Sequence, residues 1–206
     1  MTSPEYTLLS ETIDESAIVA SGPEDAPIVL LLHGLGSHER DLTSMVPHLP
    51  RAFRYVSLRA IYAYGPGYAW FELGTTDVDA ATTALEQWID GKNVIGAIGF
   101  SQGGLMALQL LRRGHLRFVA NLSGWPLPVP QPKDAALAEN PLPVFWGHGG
   151  QDPFYDEAST AAIREFLTAH TDLTEVDRPM MGHAVDQVEF AELLAFIQAR
   201  ADESDR

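Results

Sequence analysis

Short apolar runs alternate along the chain with segments whose apolar residues recur every three or four positions. Ile28–Leu32 is apolar throughout, the pattern of a strand buried on both faces. Leu42, Met45, Val46 and Leu49 follow at helical spacing, and residues 55–58 read as the next strand. Val78, Ala81, Leu85, Trp88 and Ile89 stripe one helix face. Val94–Phe100 is strand-like and leads into a helix, apolar on nearly all sides over 105–111 and therefore expected to be deeply buried. Residues 117–122 and 143–146 read as further strands, and 174–177 as a short, weaker one. Ala158, Ala162, Ile163, Phe166 and Leu167 stripe a helix between them; Val188, Phe190, Ala191, Leu194 and Ile197 stripe the last. Such alternation predicts an α/β fold, a mostly parallel sheet with helices on both faces. Two early runs, 6–9 and 17–20, are expected to add an antiparallel edge, and polar residues 201–206 to fray.

A length of 206 residues predicts one domain, 1–206, with room for a substantial core. Two connections exceed what connectivity needs. Residues 59–76 carry Tyr62, Tyr64, Tyr68, Trp70 and Phe71; residues 123–142 carry Pro126, Pro128, Pro130, Pro132 and Pro141. Long loops in a compact domain tend to serve function. Neither is long enough to form a separate cap domain.

The net charge of −15, with lysine only at Lys92 and Lys133, argues against nucleic acid and anionic membranes as partners. Solubility explains such a surface; adaptation to high salt would as well. The absence of cysteine excludes disulfides, a thiolate nucleophile and a thiolate metal site. No apolar run reaches membrane-spanning length, so no stable membrane association is expected. The first residues lack the basic and apolar regions of a secretory signal, and a cytoplasmic location is the expectation. Oligomeric state is not encoded legibly; a homodimer stays open.

The chemistry centres on Gly99-Phe100-Ser101-Gln102-Gly103. A serine between two glycines, after a strand and before a helix, is the context of a nucleophile elbow. The flanking glycines let the helix pack back on the strand. A serine hydroxyl needs a base within hydrogen-bond reach, and the base an orienting acid. Asp152, after the strand ending near Trp146, and His183, before the last helix, follow in the order Ser, Asp, His. Asp177 and Asp186 are rival acids, and Asp156 is better placed to cap the helix after it. The other histidines form no metal-ligand spacing; His33 and His148 read as holding turns at strand ends. An oxyanion would be held by backbone N–H groups of Gln102 and of the loop His33-Gly34-Leu35-Gly36, with Leu35 favoured over Gly34 and Gly36. Trp70, Phe71 and Trp125 are candidates for a substrate-pocket wall, set evenly against a role as core aromatics.

His33-Gly34-Leu35-Gly36 with Asp41, Ala69-Trp70-Phe71, Gly99-Phe100-Ser101-Gln102-Gly103-Gly104, Ser123-Gly124-Trp125, His148-Gly149-Gly150-Gln151-Asp152 and Gly182-His183 together resemble the phospholipase/carboxylesterase family. This is the α/β-hydrolase branch that includes the acyl-protein thioesterases. The resemblance implies an α/β-hydrolase fold without a large cap and hydrolysis of carboxylic esters or thioesters with no metal or cofactor. It also implies Ser101, Asp152 and His183 as triad and Leu35 and Gln102 as oxyanion donors. The continuation Ser37-His38-Glu39-Arg40 and the loop Gly65-Pro66-Gly67-Tyr68 look nearer to small bacterial esterases than to eukaryotic protein thioesterases. The expected activity is a serine carboxylesterase on small esters of short to medium chain. An acyl thioesterase or lysophospholipase of the same mechanism is the alternative, and a non-catalytic binding protein on this fold a remote one.

Overall fold

The computed structural model describes residues 5–204. Its strands are β1 (Tyr6–Leu8), β2 (Val19–Ser21), β3 (Ile28–Leu32), β4 (Arg54–Leu58), β5 (Tyr62–Tyr64), β6 (Gly67–Ala69), β7 (Val94–Phe100), β8 (Phe118–Leu122), β9 (Leu142–Gly149) and β10 (Thr171–Arg178). Its α-helices are α1 (Asp79–Ile89), α2 (Gln102–Arg113), α3 (Asp134–Glu139), α4 (Glu157–His170) and α5 (Gln187–Ser204). Seven strands form one sheet in the order β10-β9-β8-β7-β3-β4-β2. Every neighbouring pair in it is parallel except β2 on β4.

The unbroken apolar run of β3 follows from this layering. Successive side chains point to opposite faces of a sheet. Leu30 and Leu32 join a core with Leu85 of α1, Met106 of α2 and Leu167 of α4. Val29 and Leu31 join a second core with Leu193 and Ile197 of α5. Both faces are covered, so polar alternation would have buried unpaired groups.

Several elements differ from expectation. The first run forms β1 but leaves the main sheet. It pairs with β5 in a small antiparallel sheet, β1-β5-β6, because the aromatic connection folds into a hairpin with an open edge. The main sheet's antiparallel edge comes from β2 alone. Residues Leu42–His48 form a 3-10 helix rather than an α-helix, with Pro47 inside it. β10 runs eight residues instead of four. It is an edge strand, where polar residues alternate with apolar ones and the apolar signal thins. The chain end does not fray at 201: Ala201 is buried and α5 continues to Ser204, while residues 205–206 lie outside the described part. Among the described residues, no helix is long and apolar enough to cross a membrane.

The topology places two loops face to face. From β3 the chain moves to β4 on one side and later returns as β7 on the other. Loops leaving β3 and β7 therefore diverge at a switch point, where open α/β sheets form their sites. Leu32 pairs with Gly99, so two residues further Gly34 lies opposite Ser101. β9 and β10 are neighbours too, with Gly149 paired to Arg178, and their loops carry Asp152 and His183.

Glu189, in the first turn of α5, lies fully buried against Gly147 of β9. Neither carboxyl oxygen has a protein hydrogen-bond partner. Burial, with the nearby Asp186 charge, pushes its pKa up to about 8. Its folded pKa exceeds the unfolded value, so its contribution is fully present below about pH 4.5 and is lost as pH rises towards about 8. At about 1.4 kcal/mol per pH unit, the loss is on the order of 5 kcal/mol. Glu189→Gln, a neutral isostere, is expected to lose less stability than the parent between pH 5 and 8.5. Thermal denaturation of both proteins across that range checks it; parallel curves would show that Glu189 does not ionise in the fold.

Candidate active site

Ser101 stands between β7 and α2 with φ 54° and ψ −116°. Non-glycine residues rarely take positive φ, and such strain costs on the order of 1–3 kcal/mol. Close packing imposes it. A Cβ on Gly99 would strike the Gly103 backbone, and one on Gly103 would strike the Leu32 and His33 carbonyls. The Ser101 N–H donates to Leu122 O of β8 at 2.8 Å, and its carbonyl accepts the first α2 bond from Leu105. The hydroxyl caps nothing. It opens into a cavity of about 870 Å³ that His183 also lines.

His183 and Asp152 are brought together. Nδ1 and Asp152 Oδ2 are 2.6 Å apart, and with a carboxylate as acceptor the proton sits on Nδ1. Nε2 is left as the acceptor. The Asp152 side chain is buried, and its Oδ1 accepts from the Phe154 N–H at 3.0 Å. Phe100 and Phe154 hold the imidazole between them, with ring centroids at 4.9 and 4.7 Å. The rival acids are engaged elsewhere. Asp156 caps α4 through Ser159 N–H at 2.7 Å, Asp186 accepts from Arg178 and from the first N–H groups of α5, and Asp177 is exposed on β10.

The loop after β3 is held in one conformation. His33 Nδ1 donates to Gly34 O at 2.7 Å, while His33 Nε2 accepts from Ala60 N–H at 3.2 Å. Those bonds require the neutral ring, and burial pushes the His33 pKa down to about 4. A planar peptide points its C=O and N–H in opposite directions. With Gly34 O turned to His33, the Leu35 N–H faces away from it. The Gly36 N–H is taken by Tyr68 O at 2.8 Å. Gln102, as first residue of α2, has an N–H with no acceptor within the helix. The loop's outer end is fixed by Glu39, which takes two hydrogen bonds from Arg59, both 2.9 Å. The hydrogen bonds from Arg59 hold the Glu39 pKa down at about 2.

The expected aromatic wall divides. Phe71 and Trp125 line the cavity, edge to face at 6.3 Å, and Tyr155 continues the row. Trp70 does not line it. Its side chain is fully buried, and its indole N–H donates to His33 O at 2.9 Å, so it supports the loop after β3 from behind. The Gln102 side chain ties both loops together, accepting from Trp70 N–H and donating to Phe71 O. Sequence reasoning missed the Glu39–Arg59 pair, Phe154 and Tyr155, and the α4 face with Ile163 and Phe166. Periodicity marks Ile163 and Phe166 as inward-facing but does not separate core from cavity. A charged pair of a glutamate and an arginine flanking two loops was the available clue to the clamp.

Comparison with known proteins agrees with this fold. The family model described as phospholipase/carboxylesterase matches residues 13–201. Acyl-protein thioesterase 1 of Kluyveromyces lactis is 26% identical over 218 aligned positions, covering 87% of this chain and 94% of that protein. NocK of Nocardia uniformis subsp. tsuyamanensis, whose name places it provisionally among the esterases, is 28% identical over 154 residues; the match takes in 68% of this chain and 44% of NocK. Bacillus cereus carboxylesterase superposes with a TM-score of 0.72 at 21% identity, over 89% of this chain and 93% of that one. At that identity the likeness speaks for the fold. The chain belongs to the phospholipase/carboxylesterase family, carboxylic ester hydrolases built on the α/β-hydrolase fold.

Proposed function

We propose that this protein is a serine carboxylesterase acting on small esters of short to medium acyl chain. Its main support is the shared cavity of Ser101 and His183, with the His183–Asp152 bond at 2.6 Å behind it. In this mechanism Ser101 Oγ attacks the ester carbonyl carbon while His183 Nε2 takes its proton. Asp152 holds the tautomer and the resulting imidazolium. The N–H groups of Leu35 and Gln102 receive the developing oxyanion, a contribution of about 3–4 kcal/mol for one donor. Collapse expels the alkoxide, which takes the proton from His183. Water then attacks the acyl-serine by the same route in reverse, releasing the acid and restoring Ser101. No step calls on a metal or cofactor.

Two features bear on the substrate. The cavity is lined largely by apolar side chains, with Asp41 and Ser37, which donates to it at 2.7 Å, among the polar ones. That suits an uncharged acyl chain and disfavours anionic groups. A thioester is the second reading, favoured by the similarity to the Kluyveromyces lactis protein named as an acyl-protein thioesterase. A fluorophosphonate probe is expected to label the parent and not Ser101→Ala. Among p-nitrophenyl acetate, butyrate, octanoate and palmitate, kcat/KM is expected to peak between acetate and octanoate. Absence of labelling would refute serine catalysis; a palmitate maximum would refute the substrate class.

A further inference from the structure

The Pro-rich loop between β8 and α3 runs the length of α2. Gly124 packs on Gly104 in the first turn of the helix, and Leu127 and Val129 reach Arg112 in the last. Arg112 is buried, and its guanidinium makes four hydrogen bonds. Nη1 donates to Leu127 O at 2.7 Å and Nη2 to Val129 O at 2.9 Å. Nε and Nη2 grip both oxygens of Asp134 at 2.8 Å each. The same guanidinium lies 4.6 Å from the ring centre of Phe166. Asp134 also accepts from Gln131 N–H at 2.8 Å, which closes the loop on itself. On the other side of this loop is the cavity: Trp125, Leu127 and Pro128 line it, with Ile163 and Phe166 of α4 opposite.

We propose that Arg112 and Phe166 set the acyl-chain length this enzyme accepts, Phe166 as the end wall of the channel and Arg112 as the residue that positions that wall and the loop beside it. This rests on the esterase function proposed above. Ser101 stands at the start of α2 and Arg112 lies eleven residues on, about 16 Å along a helix that rises about 1.5 Å per residue. Helical side chains lean back towards the N-terminus, so the guanidinium and the Phe166 ring stand closer to Ser101 than that. A staggered alkyl chain with C–C bonds of about 1.5 Å advances roughly 1.3 Å per carbon, so the room is for fewer than about twelve carbons. A longer chain has to displace Phe166, and Arg112 on one face and His170, stacked at 4.2 Å, resist its movement. An arginine suits this position because its planar fork binds a carboxylate and two carbonyls at once while its face packs on a ring.

The ratio of kcat/KM for p-nitrophenyl dodecanoate to that for the hexanoate tests the proposal. Phe166→Ala is expected to raise it at least tenfold, and Phe166→Trp to lower the octanoate-to-butyrate ratio. Arg112→Lys keeps the charge but cannot hold all three partners, and is expected to raise the dodecanoate-to-hexanoate ratio in the same direction. Should that variant not fold, Asp134→Asn on the less buried side of the pair serves the same purpose. Arg113→Gln breaks a comparable ion pair, with Glu86 at 2.9 Å, and is expected to leave the ratio unchanged. A ratio within twofold of the parent in Phe166→Ala, or in folded Arg112→Lys or Asp134→Asn, would overturn the assignment while leaving fluorophosphonate labelling and the esterase function standing. A parent that is neither labelled nor active on any ester would overturn both.

Discussion

Ser101→Ala is expected to fold like the parent and lose ester hydrolysis by about 10⁴–10⁶ in kcat. The hydroxyl makes no capping bond, and the backbone around it is held by Leu122 O and by the glycines at 99 and 103. Its loss therefore removes a nucleophile without removing a structural contact. The substituting alanine inherits φ 54°. Ser101→Gly, which tolerates that angle, is expected to be equally inactive but more stable than the alanine variant by more than about 1 kcal/mol. Circular dichroism, thermal denaturation and ester turnover separate the two effects. An alanine variant with unchanged spectrum and more than a tenth of parental activity would remove Ser101 from the mechanism.

Asp152→Asn is the second large effect, roughly 10³–10⁴ in kcat. Asp152 meets His183 Nδ1 at 2.6 Å and is buried from water. An asparagine can turn its amide N–H₂ towards Nδ1, which places the ring proton on Nε2. That tautomer cannot accept the serine proton. It also lacks the charge that stabilises the imidazolium. Asparagine at 156, 177 or 186 is expected to cost less than tenfold in kcat. Asp186→Asn loses the Arg178 contact at 2.8 Å and weakens the first turn of α5, so its effect belongs to stability. If Asp186→Asn crippled turnover and Asp152→Asn did not, the acid would have been misassigned.

The periodic pattern alone was enough for the sheet to be anticipated as parallel and helix-covered, because burial on two faces leaves no room for polar residues. It was also enough to put Gly99, Ser101 and Gly103 at a strand–helix turn, since steric exclusion at Cβ depends on residue type. Asp152 and His183 could be placed at strand ends by position, but their hydrogen bond required β9 and β10 to lie side by side. The three-stranded sheet of β1, β5 and β6 was not legible: strand pairing is long-range, and the local signal of Tyr6 is the same whichever edge it joins. Trp70 and Phe71 show the same limit at adjacent positions. One turns inward to donate to His33 O and the other faces the cavity, a choice made by which side of the chain packs on Gln102. The cavity wall of α4, the Glu39–Arg59 clamp and the Arg112 hub are likewise products of packing. Periodicity shows that a residue points inward; whether it meets a neighbour or an empty channel depends on side chains brought together from distant parts of the chain.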